Sequence, residues 1–395
     1  MKCVSALSTV RNTDAALNEV IDRAATVLGG EPADLALVFT SMHHAKALGK
    51  IVEAIRARGL GRHVLGCTGE SIVGGDREIE GSAALSLLSL RMPGVTLEPF
   101  RLGFNPDDGF SGWPGARADA GTGSAMPAVL LLADPFTFPA DQFLKTVNDE
   151  SRGLRVIGGM ASGSQVPGQN RLVLDGEVVE HGAVAVALDG PLELRTVVSQ
   201  GCRPIGRPMI VTRVERNLIR ELGRRSALEV LRDMFGDLDP DDQRRVQQGL
   251  HIGRVINEYQ ETFKRGDFLV RNVIGADEDG GIAITDLVRV GQTVQFHVRD
   301  AETADEDLRT LLEHERQARP DARVEGALLF SCNGRGSRLF PGPNHDVGLI
   351  RDVFGPIPVA GFFAMGEIGP VGGQNFIHGF TASVVLFEEK TDAGA

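Results

Sequence analysis

Residues 327–387 read ALLFSCNGRGSRLFPGPNHDVGLIRDVFGPIPVAGFFAMGEIGPVGGQNFIHGFTASVVLF. An apolar run at 327–330 precedes a glycine-rich turn, CNGRG, at 332–336 and then an amphipathic helical pattern that ends at Gly355. A second apolar run, 358–363, leads into the turn Met-Gly-Glu at 365–367, and a last strand is predicted over 381–387. Because glycine has no side chain, turns of this kind allow the backbone to come close to a small ligand.

The same order of predicted elements occurs twice earlier in the chain. Residues 35–90 contain LALVF, a helical pattern over 45–58, VLGCTGE and SAALSLLSL, and residues 128–188 contain AVLLLADP, a helical pattern near 141–152, VIGGMASG and GAVAVAL. In each copy the second strand carries a glycine, at Gly66, Gly158 and Gly361. The repetition predicts related strand–helix–strand modules. We therefore expect an α/β fold (α+β mixed) with two domains built from repeated strand-helix-strand-strand units.

The length of the chain predicts more than one domain, because 395 residues exceed what a single core usually supports. Near residue 225 the alternation of strands and helices gives way to a helical stretch. We accordingly divide the chain into residues 1–225 and residues 226–395.

Composition and charge exclude several classes of partner. Hydrophobic residues make up 42% and charged residues 24%, as in globular proteins with ordinary cores. A net charge of −12 without a basic stripe argues against nucleic acid and against an anionic membrane surface. The chain lacks a signal-peptide pattern and an apolar run long enough to span a membrane, and its four scattered cysteines suggest neither disulfides nor zinc. We expect a cytoplasmic protein.

The strand ends carry the polar residues that suit a binding site. Arg335, in the glycine-rich turn, suits bidentate capture of a ligand carboxylate, and the alternative is that it pairs with a structural carboxylate. Glu70 and Glu367 follow glycines at equivalent places in two copies, where they accept hydrogen bonds from a ligand amine, cap a helix or pair with Arg335. The candidate ligand-binding residues are Cys67, Thr68, Glu70, Arg271, Asn333, Arg335, Gly361, Phe363 and Glu367.

The sequence patterns that would indicate catalysis or metal binding are weaker than those that indicate ligand binding. Cys67 and Cys332 each follow a predicted strand, but no histidine or helix N-terminus is predicted beside them to activate a thiolate. We therefore expect buried cysteines and no enzymatic activity. No histidine pair has the spacing of a metal site on a helix, and no cofactor is required. Haem remains an alternative cofactor because it needs a single histidine over an apolar cleft, and the candidates are His43, His44, His345 and His378.

Taken together, these motifs resemble the FIST sensory proteins, which pair a FIST-N module with a FIST-C module. VLGCTGE, VIGGMASG and VSQGCRPIG resemble the N-terminal module, and CNGRG, VAGFFAMGEIGPVGG and FIHGFTASVVLF resemble the C-terminal one. The resemblance implies a stand-alone sensor of small molecules such as amino acids in intracellular signal transduction. Such a sensor acts through a separate output partner, for example a histidine kinase of a two-component system. The family also implies two alternatives, a haem-binding nitric oxide sensor and a partner-recruiting scaffold.

Overall fold

The computed structural model describes residues 1–115 and 128–389, and these residues form two compact units. The first unit takes the described residues of Met1–Val198, Leu308–Ile377 and Thr381–Ala395, and the second takes Ser199–Asp307 and His378–Phe380. The predicted mixed α/β fold in two domains is confirmed. In chain order, the second unit interrupts the first. Residue 225, where the sequence pattern changes, lies in a strand of the second unit.

The elements follow one another in three similar segments, with the second unit inserted in the third. The first segment contains β1 (Lys2–Ser8), α1 (Thr13–Leu28), β2 (Leu35–Thr40), α2 (Leu48–Ala57), β3 (His63–Thr68), β4 (Ile72–Gly74), β5 (Arg77–Ile79) and β6 (Leu85–Arg91). The second contains β7 (Thr96–Asn105), β8 (Gly109–Ser111), β9 (Ala128–Ala133), α3 (Ala140–Glu150), β10 (Arg155–Met160), β11 (Leu172–Leu174), β12 (Glu177–Val179) and β13 (Ala183–Asp189). The third begins with β14 (Leu192–Ser199).

The inserted second unit follows β14, and the third segment then resumes. The insertion contains β15 (Cys202–Glu215), β16 (Leu218–Leu222), β17 (Arg225–Ser226), α4 (Ala227–Asp237), α5 (Pro240–Gln248), β18 (Leu250–Val255), β19 (Phe268–Ala276), β20 (Ile282–Ile284) and β21 (Thr293–Arg299). The third segment continues with α6 (Ala301–Ala318), β22 (Val324–Cys332), α7 (His345–Phe354), β23 (Val359–Ala364), β24 (Glu367–Val371), β25 (Gln374–His378) and β26 (Ala382–Glu389).

Three sheets of the first unit share one plan. Each has a parallel pair of strands joined through a helix, namely β2–β3, β9–β10 and β22–β23, with an antiparallel strand beside it. Each sheet is completed by a hairpin from a different segment: β11–β12 pairs with β3, β24–β25 with β10 and β4–β5 with β23. The predicted repeat is therefore present, and the three segments exchange hairpins in a cycle.

Glycines occupy one equivalent position in the second strand of each parallel pair. Their partners across the pair are Val38 for Gly66, Leu131 for Gly158 and Leu329 for Gly361. A Cβ atom on Gly361 would lie 1.9 Å from the carbonyl oxygen of Leu329, and one on Gly158 would lie 1.8 Å from that of Leu131. No side chain fits at these distances, so the close approach of the two strands requires glycine.

The three sheets enclose a common apolar core. Its centre includes the rings of Phe39, Phe330 and Phe362, whose centroids are 5.2–6.4 Å apart. On the outer faces, α1 and α2 cover the first sheet, α3 covers the second, and α6 and α7 cover the third. Strands covered on both faces are apolar throughout, which explains the continuous runs in the sequence.

The second unit is a barrel-like sheet with its own core. Its strand order is β15-β21-β18-β19-β20-β16-β17, and an additional pairing of β15 with β16 closes the sheet. Ile205, Ile252, Phe296 and their neighbours form the core of this unit. Among the described residues of both units, no helix has the length and apolar composition needed to cross a membrane.

Candidate ligand-binding site

The CNGRG turn lies at the carboxyl end of β22, and its arginine is buried. Nε and Nη2 of Arg335 each donate a hydrogen bond of 2.7 Å to Asp346 on α7, and both side chains are 0% exposed. The hydroxyl of Ser331 donates a third hydrogen bond to the same carboxylate, also at 2.7 Å. Two partners were predicted for Arg335, a ligand carboxylate or a structural carboxylate. In this structure its bidentate partner is the structural carboxylate of Asp346.

Asp346 is charged despite its burial. Burial raises the pKa of this carboxyl group, but the charge of Arg335 and hydrogen bonds from His345 and Arg335 outweigh it and hold the pKa well below its usual range. Nδ1 of His345 lies 2.9 Å from the carboxylate, and the His345 ring stacks on Phe340 with a centroid distance of 3.3 Å. The Arg335–Asp346 pair is therefore fixed from several sides.

Two further carboxyl groups are buried near this pair. Glu78, on β5, accepts a hydrogen bond of 2.9 Å from the backbone N–H of Val347. Glu367, at the start of β24, accepts hydrogen bonds from the hydroxyl and the backbone N–H of Thr381 at 2.7 and 3.2 Å. Glu78 belongs to the hairpin that completes the third sheet, and Glu367 to the hairpin that completes the second. The charge of Arg335 acts on the pKa of both.

Both glutamates have strongly altered acidity. Burial raises the pKa of Glu367 to about 8, against the opposing hydrogen bonds of Thr381 and the charge of Arg335. Burial and the charge of Asp346 raise the pKa of Glu78 to about 8 as well, although Arg335 again lowers it. Near neutral pH, these two side chains are therefore mostly protonated.

Several buried polar atoms at this place have no hydrogen-bond partner among the described residues. They are Nη1 of Arg335, Oε2 of Glu78, Oε1 of Glu367 and Oδ1 of Asn333. We call the group formed by Glu78, Asn333, Arg335, Asp346 and Glu367 the Arg335 corner. An unpaired buried polar atom costs free energy, so this set favours a small molecule that supplies both an acceptor and donors.

The turns after β3 and β10 contact each other and the end of β23. Ser162 accepts a hydrogen bond of 2.9 Å from the backbone N–H of Glu70, and its hydroxyl donates to the carbonyl of Phe363. Its own N–H donates to the carbonyl of Thr68 at 3.1 Å. The Glu70 carboxylate pairs with Arg338, not with Arg335, across an exposed surface. Thr68, Glu70 and Phe363 are thus brought together.

The other predicted binding residues lie elsewhere. Cys67 is fully buried within β3, and burial raises the pKa of its thiol well above the usual value. Gly361 is enclosed against Leu329 inside the third sheet. Arg271 belongs to the second unit, where its Nε lies 3.2 Å from Asp286.

Of the four candidate haem ligands, His43 and His44 are adjacent in a 3-10 helix (Met42–Ala47), and His345 and His378 lie on α7 and β25. His43 is exposed, with Nδ1 3.4 Å from the Ser41 hydroxyl, and His44 is buried with Nδ1 2.9 Å from the Thr13 hydroxyl. His345 is engaged by Asp346 as described, and His378 is buried in the second unit. Three clefts in the described part of the chain, of about 530, 630 and 330 Å³, contain no histidine in their linings. These three clefts therefore offer no histidine to a haem iron.

The residues that complete the corner were not predicted from the sequence. Asp346 and Glu78 follow no local motif, because only the packing of α7 and the exchanged hairpin brings them to Arg335. Ser162 had a usable signal, since it follows β10 at the place where Glu70 follows β3 in the first copy. Comparing the three turns by register would have identified it.

The chain is similar to known proteins over nearly its whole length. Residues 34–225 match the family described as the FIST N domain, and residues 227–370 match the FIST C domain. An uncharacterized protein of Mycobacterium bovis is 41% identical over 375 residues, which cover 95% of each chain. An uncharacterized protein of Mycobacterium tuberculosis is 42% identical over 360 residues, covering 91% of this chain and 92% of the relative.

Proposed function

This chain belongs to the FIST family, and on that premise we propose that it is a sensory protein that binds a free amino acid at the Arg335 corner. FIST domains are sensory domains for small ligands in signalling proteins. We further propose that the bound state is read by a separate output partner, such as a histidine kinase.

The unpartnered atoms of the Arg335 corner support an amino acid as the ligand. Nη1 of Arg335 is a buried cationic donor, which suits the carboxylate of a zwitterion. Oε1 of Glu367 and Oε2 of Glu78 are buried carboxyl oxygens, which suit its ammonium group. The corner thus offers one feature for each end of an α-amino acid, and this complementarity is the observation that carries the proposal.

Binding at this corner is coupled to protons. Glu78 and Glu367 are mostly protonated near pH 7, because burial raises the pKa of each to about 8. A ligand ammonium group beside them favours their charged forms and lowers both pKa values. Association is therefore accompanied by proton release, and affinity rises as the pH rises towards 8.

The binding groups are enclosed, so ligand entry requires the CNGRG turn to move. Gly334 is partly exposed, and Gly336 has a φ of 58°, a conformation that other residues rarely adopt. Arg338, just beyond the turn, holds Glu70 by an exposed ion pair. Movement of the turn would separate Arg338 from Glu70 and change the surface that a partner contacts, which links binding to output.

The proposal is tested by titrating the full chain with the twenty common amino acids in a calorimeter and in thermal unfolding. We expect at least one to bind and to raise the melting temperature, since a ligand of the folded state stabilises it by about 2.7 kcal/mol at one hundred times its Kd. Glu367→Gln removes the ionisable group while retaining its shape and should weaken that binding at least tenfold. The exposed Glu177→Gln serves as the control. Absence of binding by all twenty, or equal binding by Glu367→Gln, contradicts the proposal.

Two other roles known in the family remain as ranked alternatives. A haem-based nitric oxide sensor predicts a Soret band in the freshly purified or haem-reconstituted protein, and such a band would displace the amino acid proposal. A partner-recruiting scaffold predicts that a partner binds equally well with and without ligand. Neither is favoured by a particular contact, whereas the amino acid proposal has the Arg335 corner.

We propose binding without catalysis. Cys67, one of the two candidate nucleophiles, is fully buried, and burial raises the pKa of its thiol. A buried, protonated thiol is a poor nucleophile. Native iodoacetamide labelling followed by mass spectrometry should spare Cys67, and rapid modification there would argue for an enzyme.

A further inference from the structure

A cleft of about 530 Å³ lies at the opposite end of β22 from the Arg335 corner. Five basic side chains contribute to its lining, together with the carboxyl groups of Glu325 and Glu388. The five are Lys2, Arg195, Arg316, Arg319 and Arg323. We call this cleft the basic cleft. Because the chain as a whole has 53 acidic and 41 basic residues, the excess of positive charge here is local to this cleft.

Arg195 is the most buried of the five, with a side chain 8% exposed. Its Nε donates to Glu315 at 2.7 Å and its Nη1 donates to Glu388 at 2.9 Å. Nη2 is buried and has no hydrogen-bond partner among the described residues. Two carboxylates therefore fix the guanidinium in place and leave one charged donor for an anion.

The remaining cations come from separate segments of the first unit. Arg319 and Arg323 follow the end of α6, and their side chains are 52% and 85% exposed. Arg319 Nη1 is 3.7 Å from Glu388, and Arg323 Nε is 3.0 Å from Glu325. Basic residues near a helix C-terminus offset the helix dipole, which explains Arg319. Lys2, on β1, likewise donates from Nζ to the carbonyl of Val27 in the last turn of α1, at 2.7 Å. The effect does not explain Arg195, which comes from β14.

The rest of the lining is largely apolar and includes Phe354, Pro356, Ile357 and Pro358. A mixed wall of this kind selects a ligand with an anionic group and an apolar body, and the volume is that of small-molecule sites. We propose that the basic cleft is a binding site for a small organic anion, one that carries a phosphate or a carboxylate on an apolar body. Nη2 of Arg195 donates to the anionic group, and Phe354 and its neighbours contact the body.

This site is independent of the proposed amino acid site. The two are separated by the length of β22, about 26 Å for nine residues in a strand. Variants in one are therefore expected to leave binding at the other unchanged, and each proposal fails on its own measurements.

The test uses the full chain and four probes: phenyl phosphate, phenylacetate, inorganic phosphate and phenol. We expect calorimetry to detect phenyl phosphate or phenylacetate, with affinity falling as sodium chloride is raised, because exposed charge interactions are screened. The stronger of these two probes identifies the anionic group. Inorganic phosphate should bind at least tenfold more weakly than phenyl phosphate, and phenol should not bind.

Variants assign the binding to the basic cleft. The double variant Arg319→Gln/Arg323→Gln should lose at least tenfold in affinity for the better probe. Arg309→Gln, on α6 and outside the lining, changes a side chain that is 41% exposed and should bind as the unmodified chain does. Arg195→Lys keeps a charge but removes the fork and should also weaken binding. Absence of binding by both aromatic anions, or equal affinity in the double variant, overturns the proposal. Equal affinity for inorganic and phenyl phosphate overturns the role of the apolar wall.

Discussion

At the scale of single residues, Arg335 and Arg338 show how position determines what an arginine does. They stand three places apart in CNGRGSR, yet Arg335 is fully buried against Asp346 while Arg338 pairs with Glu70 on the surface. A buried ion pair is costly to break because the remaining charge is left uncompensated. An exposed pair is screened by water and contributes little.

Asp346→Asn should therefore destabilise the protein by about 3–5 kcal/mol, since Arg335 would be left without its carboxylate. Arg338→Gln, which breaks the exposed pair with Glu70, should cost less than about 1 kcal/mol. Urea unfolding of the two variants measures the difference. Equal losses would show that the buried pair does not hold α7 against the turn.

Glu367 provides a prediction on pH. Its pKa is about 8 in the folded chain and near the ordinary glutamate value when unfolded, so folding is most favoured below that ordinary value and loses stability as the pH rises through 8. Glu367→Gln does not titrate and should flatten this fall between about pH 6.5 and 8. Urea midpoints measured across that range test it, and an unchanged slope would contradict the buried, protonated state of Glu367.

The sequence located part of this chemistry. CNGRG and the Gly-Glu turns are local patterns, so Arg335 and Glu367 could be identified without a structure. The partner of Arg335 could not, because Asp346 and Glu78 reach it only through the packing of α7 and β5. Contacts between distant segments leave no local trace in one sequence.

At the scale of elements, the glycine in the second strand of each parallel pair sets how closely two strands approach. Gly361→Ala would place a Cβ atom 1.9 Å from the carbonyl oxygen of Leu329, and the φ of 156° disfavours alanine as well. We expect a loss of about 3 kcal/mol or more, the upper range for overpacking a core. Thermal and urea unfolding would measure it.

A second glycine is the matched control for that prediction. Gly348 lies within α7, and a Cβ atom there would meet nothing within 4 Å. Gly348→Ala should stabilise the protein by about 0.5–1 kcal/mol, because alanine favours helix over glycine. If both substitutions had the same sign, the close approach at Gly361 would not be the cause of its effect.

The elements themselves were largely predictable, whereas their pairing was not. The apolar runs predicted β22 and β23, and the stop at Gly355 coincides with the end of α7. Nothing in the hairpin sequence 72–79 indicates that it joins the third sheet, because short strands carry little information about their partners. The cyclic exchange of hairpins was therefore visible only in the structure.

At the scale of the whole molecule, contacts between segments that are distant in sequence determine the two compact units. The first unit is assembled from three separate ranges of the chain. The third copy of the repeat is split, since β14 precedes the second unit and β22 follows it. Near residue 225 the sequence pattern changes from alternating strands and helices to a helical stretch. This position lies inside the second unit and is not a boundary between the two compact units. The sequence pattern identifies the contiguous part of the third copy but does not assign β14 to it, because the second unit separates β14 from β22 along the chain.

The second unit should respond to acid through two buried histidines. Burial, with the charge of Arg299, lowers the pKa of His251 to about 4, and burial lowers the pKa of His297 to about 4. Their contribution to stability is present above the unfolded value near 6.5 and is lost as the pH falls through 4. The protection of amides in peptides from 199–307, taken relative to their intrinsic exchange rates at each pH, should therefore fall over that range, and less so in His251→Phe. An unchanged pH profile in the variant would contradict this.

The most direct test of the account is the number of protons exchanged when the amino acid binds. Calorimetric titrations of the full chain near pH 7, in two buffers of different ionisation enthalpy, give that number. A release of protons that is smaller in Glu367→Gln is the predicted result, because the ligand ammonium group ionises both Glu78 and Glu367 and the variant retains only Glu78. Binding with no proton release, or the same release in the variant, would contradict a ligand site at the Arg335 corner.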